Sequence, residues 1–371
     1  MTGQAVAPAL SVRGFAPEHT GTWEDLVGRS GTGTFMHTRR FISYHGDRFQ
    51  DRSLLLEDRH GKIVGVFPAA QDLADPELVV SHPGLTYGGL VHDVTVRGEA
   101  MIAALTEIAG HYRGLGYRRL RYKSVPAIYR SASCADDEYA LFRLGAHRYR
   151  RDLSAAIDLD NRGQVSQSRP RRRRKAEAAG VTARESWDEI ADYWQVLAEN
   201  LADRHGAAPV HSLAEITLLH DRFPGNILLV SGWIGNELAG GILAFLAGPV
   251  LKMQYSATTA LGRDAYVMDP VVECVIDLAR TRGCRYFDFG ACTYDDGQTL
   301  NEGLYQFKAS FGASGVIYDY YELDLEQWPD PSHVGAGPNG SLERPDQGGY
   351  PAAPSVDRLR WRLLAILFVI S

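Results

Sequence analysis

Between Tyr286 and Gly312 the chain reads YFDFGACTYDDGQTLNEGLYQFKASFG, and this stretch concentrates groups that could do chemistry. Asp288 stands between two aromatic residues in a segment, Arg285 to Phe289, with the composition of a buried strand. A carboxylate taken out of water must be paired, hydrogen-bonded or put to use. The plainer role open to it is a cap for the loop that follows. That loop is polar and contains glycine, and it leads into a short helix that carries Lys308 and stops at Gly312. A strand end, a loop and a helix start bring polar side chains and free backbone N–H groups to one place. There a fixed ammonium can offset negative charge that develops on a reacting oxygen. By residue type alone, Lys308 is a surface lysine of an amphipathic helix.

Tyr255, Asn301 and Tyr305 are polar groups that could join this site; Tyr255 reads equally well as a core tyrosine. In the first half, Arg39, Arg40, Tyr87 and Lys123 could hold the phosphate or carboxylate of a substrate. Arg39 and Arg40 follow Phe35-Met-His-Thr38, where a short helix begins, and helix starts favour anions. From Arg169 to Lys175, six of seven residues are basic. Such a run suits phosphate groups, or else it is the solvated face of a helix between two domains. His37, His82 and His211 are lone histidines in loops, which reads as structural hydrogen bonding rather than base catalysis. Asp288-Phe-Gly290 matches the metal-binding triplet of protein kinases, but no glycine-rich phosphate loop or catalytic-loop signature accompanies it.

Further segments extend the pattern. They are Phe35-Met-His-Thr-Arg-Arg-Phe41, Ser81-His-Pro-Gly-Leu-Thr-Tyr-Gly-Gly-Leu90, Tyr122-Lys-Ser-Val-Pro-Ala-Ile-Tyr129, Arg171-Arg-Arg-Arg-Lys175, Asn200-Leu-Ala-Asp-Arg-His-Gly206, Pro209-Val-His-Ser-Leu213 and Gln254-Tyr255. In their order, and over roughly residues 20 to 325, these segments and the Tyr286–Gly312 stretch resemble the FemAB-like acyltransferases of the GNAT superfamily. The resemblance implies an α+β protein of two tandem GNAT-like (acyl-CoA N-acyltransferase-like) domains, each a mixed sheet flanked by helices. It implies a transferase that forms an amide on an amine acceptor. The acceptor would be a cell-wall precursor, an amino sugar or a specialised metabolite, nucleotide-linked or free. In that family a lysine of a Phe-Lys pair lies in the cleft and assists the departing end of the donor; Phe307-Lys308 matches the pair. Lys308 is therefore expected to point into the cleft between the domains, near Tyr255 and Asn301. No helical coiled-coil arm of the kind some Fem enzymes carry is visible between the halves, which weakens a reading as a peptidoglycan enzyme.

The donor follows from what is missing. A coenzyme A enzyme of this superfamily carries Arg/Gln-x-x-Gly-x-Gly/Ala ahead of a helix, where backbone N–H groups cradle the pyrophosphate. The matching place is Gly262-Arg-Asp-Ala-Tyr-Val-Met268, and both later small residues are absent. The loop Gly84 to Gly89 is glycine-rich but wrongly spaced and preceded by Pro83, which reads as a tight turn. This loss looks like the Fem branch, and that resemblance implies aminoacyl-tRNA as the donor, with Arg171, Arg172, Arg173, Arg174 and Lys175 as its phosphate contacts. An acyl-carrier-protein thioester and coenzyme A are the alternatives, in that order. From another class, a non-catalytic nucleotide- or glycan-binding module could use the same fold.

Composition bounds these readings. The chain has 371 residues, 45% hydrophobic and 23% charged, enough for two ordinary domains with real cores. A net charge of -6 confines any anion site to a local patch. Cys134, Cys274, Cys284 and Cys292 have no C-x-x-C spacing, and no His/Cys cluster has zinc spacing, so no metal is expected. Free thiols and an N-terminus without a secretory pattern suit the cytoplasm.

Two copies of one order, hairpin, strand, helix, strand, run along the chain. Ser53–Glu57 and Lys62–Pro68 form the first hairpin, Leu78–Ser81 the strand, Glu99–Leu115 the helix and Arg118–Tyr122 the closing strand. In the second copy Asn226–Ile234 and Glu237–Ala247 turn at Gly235-Asn236, then come Val250–Ala257, Met268–Arg282 and Arg285–Phe289. A helix from Trp187 is expected to start on a capping box of Ser186 and Glu189. The expected divisions are a loose lead-in (1–20), two domains (21–165 and 166–325), a Pro/Gly/Ser-rich linker (326–355) and a tail helix (356–371). The tail is too short to span a membrane and is read as docked or loose. A membrane-surface foothold through Arg358, Arg360, Arg362 and Trp361 is the less favoured alternative.

Overall fold

The computed structural model describes residues 10–131 and 133–327. The linker and tail helix expected beyond them lie outside the described residues.

In the first half the elements are β1 Leu10–Gly14, α1 Thr20–Arg29, α2 Arg39–Ile42, β2 Leu54–Asp58, β3 Ile63–Phe67, β4 Ala70–Gln71, β5 Leu78–Val80, β6 Val91–His92, α3 Glu99–Gly114, β7 Arg119–Lys123, α4 Asp136–Arg143 and β8 His147–Asp158. The second half has α5 Ser168–Ala178, β9 Val181–Glu185, α6 Ile190–His205, α7 Leu213–Arg222, β10 Ile227–Ile234, β11 Glu237–Ala247, β12 Val250–Thr258, α8 Ala260–Asp264, α9 Met268–Thr281, β13 Tyr286–Ala291, β14 Thr293–Tyr294, β15 Thr299–Leu300, α10 Glu302–Ala309 and β16 Ser314–Asp324.

An order of long helix, strand, short helix, strand occurs twice, in α3–β7–α4–β8 and in α9–β13–α10–β16. Within each copy the strand after the long helix runs parallel to an earlier strand: β7 to β5, and β13 to β12. The two copies then exchange their last strands. β8 pairs antiparallel with β13, β16 pairs antiparallel with β7, and β8 and β16 pair with each other from Ser314↔Ala156 to Glu322↔His147. The result is a ten-stranded sheet, β4-β5-β7-β16-β8-β13-β12-β11-β10-β9, beside a four-stranded sheet, β1-β2-β3-β6.

The centre of the second half is apolar on both sheet faces because helices cover both. Tyr193, Trp194 and Leu197 of α6 pack on one face, and Val271, Val272, Val275 and Ile276 of α9 pack on the other. The first of these clusters continues into the first half through Trp23, Phe41, Tyr87 and Tyr129, so the halves share one apolar interior.

Two local expectations are corrected. Leu10–Gly14 is a strand on β2 rather than loose chain, its backbone groups satisfied by the ladder from Leu10↔Asp58 to Gly14↔Leu54. The helix from Trp187 starts later, at Ile190, and Ser186 does not cap it; its hydroxyl takes the Asp188 N–H. A capping box does occur one helix on, where Ser212 and Glu215 satisfy each other's backbone N–H groups at the start of α7.

Candidate active site

Strands β12 and β13 pair for three residues, Val250↔Tyr286, Leu251↔Phe287 and Lys252↔Asp288, and then part. β13 leaves to follow β8, where Ala291 faces Ser154. β12 carries a bulge at the fork: Leu243 faces Tyr255 and Ala244 faces Met253, so Gln254 has no partner on β11. A bulge frees backbone groups and re-aims a side chain.

Asp288 is fully buried at the fork. Its Oδ2 accepts from the hydroxyls of Tyr129 (2.6 Å) and Tyr318 (2.5 Å), and its Oδ1 from Ser154 Oγ (2.7 Å) and Gly290 N (2.8 Å). Tyr318 is on β16 and Ser154 on β8, so the strand exchange itself delivers two of these donors. The Gly290 bond is the loop cap expected from sequence, and the other three come from distant segments. Lys252 lies across the ladder from Asp288, fully buried, and donates to Gln254 Oε1 at 2.9 Å. Burial pushes its ammonium down to about 8, while Asp288 pulls the other way. Lys308 reaches the fork from α10, where its Nζ donates to the carbonyls of Gly290 (2.8 Å) and Ala291 (3.0 Å). It is 1% exposed, and burial lowers its pKa, with Cys292 and Asp288 opposing. One carboxylate thus sits among two ammonium groups in a buried fork, where charge acts far more strongly than in solvent.

Above the fork, the two halves enclose a cavity of about 430 Å³. Met36, Phe41, Leu85, Val210 and Phe245 are among its walls, with Tyr44, His45, His211 and Gln254 adding polar atoms. His211 is clasped between tyrosines: its Nδ1 lies 2.7 Å from the Tyr255 hydroxyl and its Nε2 3.1 Å from that of Tyr44. Burial pushes both His45 and His211 down to about 4, so both are neutral at physiological pH.

The other residues singled out in the sequence scatter around this centre. Tyr87 is buried with its ring 4.7 Å from that of Tyr129, one step from Asp288. Tyr255 stands on β12 against Trp194 and behind His211. Asn301 is the cap of α10: its Oδ1 takes the Leu304 N–H (3.0 Å), and its Nδ2 donates to Tyr294. Tyr305 and Phe307 are half-buried on the same helix; Phe307 packs on the α9 side and under Arg169. Lys123 is buried in the first half, where its ammonium is held by the carbonyls of His82 and Leu85. Burial lowers its pKa to about 7. The loop that clamps it is the glycine-rich segment, folded so tightly that a Cβ on Gly88 would lie 1.9 Å from the Ser81 carbonyl oxygen. This loop fills the space beside β7 and forms one wall of the cavity through Pro83 to Thr86. Arg39 and Arg40 face away from the cavity into a separate shallow depression with Phe15 and Glu24. Arg39 is tied there to Asp51 at 2.5 Å and lies over the Phe15 ring.

Lys252 escaped the sequence reading, and Gln254 entered it only within the Gln254-Tyr255 motif, without a role. Their signal is the pair of polar residues two apart in VLKMQYSAT, which a strand sets on one face.

The basic run forms α5. Arg169 is buried, pairs with Asp269 at 3.2 Å and lies over the Phe311 ring. Arg171, Arg173, Arg174 and Lys175 are exposed, Arg172 partly so. Arg172 and Lys175 lie over the ring of Tyr266, in the turn before α9. If this face binds a polyanion, replacing Arg171 to Arg174 by Ala will weaken tRNA binding and flatten its salt dependence. The slope should fall by about 0.7 to 0.9 for each phosphate that is no longer neutralised. A filter-binding salt titration measures this, and an unchanged slope would return the helix to solvated surface.

That turn accounts for its own backbone. The N–H of Gly262 goes to Thr259 Oγ1 (3.0 Å), and those of Arg263, Ala265, Tyr266, Val267 and Asp269 go to carbonyls within the same turn. Gly262 has no room for a side chain, since a Cβ would lie 1.9 Å from the Ala239 oxygen. The first turn of α9 also carries the carboxylate of Asp269. A pyrophosphate would find few free donors here, with a negative group beside them.

Residues 165–308 match the family model described as an acetyltransferase (GNAT) domain. The match places a GNAT-type domain in the second half of the chain. The fold of the two halves together is FemX-like. FemX is similar over 85% of this chain and 98% of its own, at 14% identity and a TM-score of 0.61. The structure of L-PGS from Bacillus licheniformis is similar at 13% identity and a TM-score of 0.56, covering 83% of this chain and 91% of that one. The C-terminal domain of a putative lysylphosphatidylglycerol synthetase from Agrobacterium fabrum follows at 12% identity and a TM-score of 0.54, covering 82% and 91%. No curated protein matches the sequence. Among the described residues, no helix is long and apolar enough to cross a membrane, and no group of side chains could hold a metal ion.

Proposed function

We propose that this protein transfers an acyl group from an aminoacyl-tRNA to the amine of a small or nucleotide-linked acceptor, forming an amide at the β12–β13 fork. The observation that carries the donor choice is the closed turn ahead of α9, most of whose N–H groups already have partners within the protein. A coenzyme A pyrophosphate needs those groups, whereas an RNA backbone can use the exposed arginines of α5 beside the same turn. The Fem-branch resemblance of the sequence motifs supports the same choice.

In this reading the donor carbonyl lies at the fork. Its oxygen gains negative charge as the amine attacks, and Lys308 and the groups around Gln254 offset that charge. The amine loses one proton and the departing ribose oxygen gains one. Positioning of the two substrates supplies much of the rate, so the protein needs no covalent intermediate. Coenzyme A should bind weakly, and isothermal calorimetry is the check. A low-micromolar dissociation constant for acetyl-coenzyme A would move the donor to a thioester.

A further inference from the structure

We propose that the cavity between the halves seats the uncharged, apolar side chain of the transferred aminoacyl group and that the side-chain amide of Gln254 donates a hydrogen bond to that group's carbonyl oxygen, with Lys252 as the residue that positions the amide. The inference deepens the transfer reading above by naming the side-chain chemistry of the group transferred, and it rests on that reading for the aminoacyl donor.

The argument starts from what lines the cavity. Met36, Phe41, Val210 and Phe245 present hydrocarbon or aromatic surface. The imidazoles of His45 and His211 are neutral. Among the described lining residues Arg48 is the one permanent cation, and it is held by Glu215 at the rim. Asp72, at the same rim, caps its own turn through the N–H groups of Ala74 and Asp75. A phosphate or carboxylate placed inside would lose its hydration without gaining a counter-charge, which is costly. An apolar group gains by the same move.

Gln254 is where the cavity meets the fork. It lies in the bulge of the diverging strand, is 3% exposed, and forms part of the cavity wall. An amide has an acceptor end and a donor end, and an ammonium can only donate. Lys252 Nζ, 2.9 Å away, therefore selects the Gln254 oxygen and turns the NH₂ the other way. The NH₂ lies beside the Tyr255 hydroxyl, and with two N–H groups it can serve that oxygen and a ligand at once. Charge on Lys252 also polarises the amide, which strengthens what those N–H groups can donate. Asp288, opposite Lys252 on β13, keeps the ammonium charged in a buried place. The arrangement is a donor fixed in advance of the substrate, of the kind that stabilises an oxyanion.

The test uses resting protein and three matched probes: methyl hydrocinnamate, hydrocinnamate and propylbenzene. Binding is read by calorimetry, and the ester carbonyl stretch is read by infrared spectroscopy in a region clear of protein amide absorption. The ester is expected to bind with its carbonyl band moved to lower frequency, and the carboxylate at least about tenfold more weakly, because its charge stays uncompensated. Gln254→Glu keeps an acceptor for Lys252 but removes both N–H donors; it should still bind the ester, with the band shift abolished. Lys252→Met should shrink the shift, because the amide is free to rotate. Should either variant fold poorly, Thr86→Trp serves as the second arm: it narrows the mouth without touching the fork and should abolish binding of ester and propylbenzene alike. Equal affinity for ester and carboxylate, a band shift retained in Gln254→Glu, or full binding in Thr86→Trp would each overturn the proposal. These readouts need no turnover. If the ester seats as described and no amide is ever formed, the transfer reading fails and the cavity assignment stands; the converse result separates them equally well.

Discussion

Asp288→Asn should cost about 3–5 kcal/mol of stability, the largest single-residue effect expected in the protein. The charge of Asp288 is buried, and it accepts from two tyrosines, a serine and a backbone N–H. Asparagine keeps the shape but places an NH₂ against donors, so at least one hydroxyl loses its acceptor. Lys252 and Lys308 would also lose the opposite charge that offsets their burial. Because the donors come from β8 and β16, the damage falls on the exchanged strands that join the two halves. Urea denaturation of the variant measures the change. A cost below about 1 kcal/mol, the net worth of one ordinary hydrogen bond, would mean that Asp288 is only a loop cap.

Lys308→Met should lower turnover by about a hundredfold or more, since one preorganised electrostatic group is removed from the fork. Read from sequence as a cleft lysine outside the core, Lys308 is expected to leave folding almost unchanged when replaced. The structure changes that expectation. Lys308 is buried and satisfies the carbonyls of Gly290 and Ala291, so its removal should also cost about 1–3 kcal/mol. Both effects are separable by measuring turnover at a temperature where circular dichroism shows the variant folded. A folded variant with wild-type turnover would leave Lys308 as a strut for the β13 loop.

Local pattern carried much of this architecture. The long helices α3 and α9, the β10–β11 hairpin and the strands around them follow from apolar spacing, glycine stops and the Gly235-Asn236 turn. The exchange of β8 and β16 did not follow, because a strand's partner is chosen by groups far away in sequence. Nothing in HRYRRDLSAAID says that it will lie between Tyr286 and Glu322. The candidate site divides in the same way. Asp288 and Lys308 stood out as charged groups among aromatics, and the fold brings them together. Arg39 and Arg40 looked like a helix-start anion site, but the turn that points Phe41 into the cavity points them outward. Asn301 is occupied in capping α10, a local role that any asparagine before a helix can take. Lys252 becomes visible only once the parallel register sets it opposite Asp288.

The most direct test of the account is product analysis. Purified protein is given a panel of amine acceptors with mixed charged tRNA in one arm and acetyl-coenzyme A in the other, and products are identified by mass spectrometry. The account predicts a new amide in the tRNA arm, strongly reduced with Lys308→Met, and little or none in the coenzyme A arm. Amide formed from acetyl-coenzyme A alone, undiminished in Lys308→Met, would contradict it.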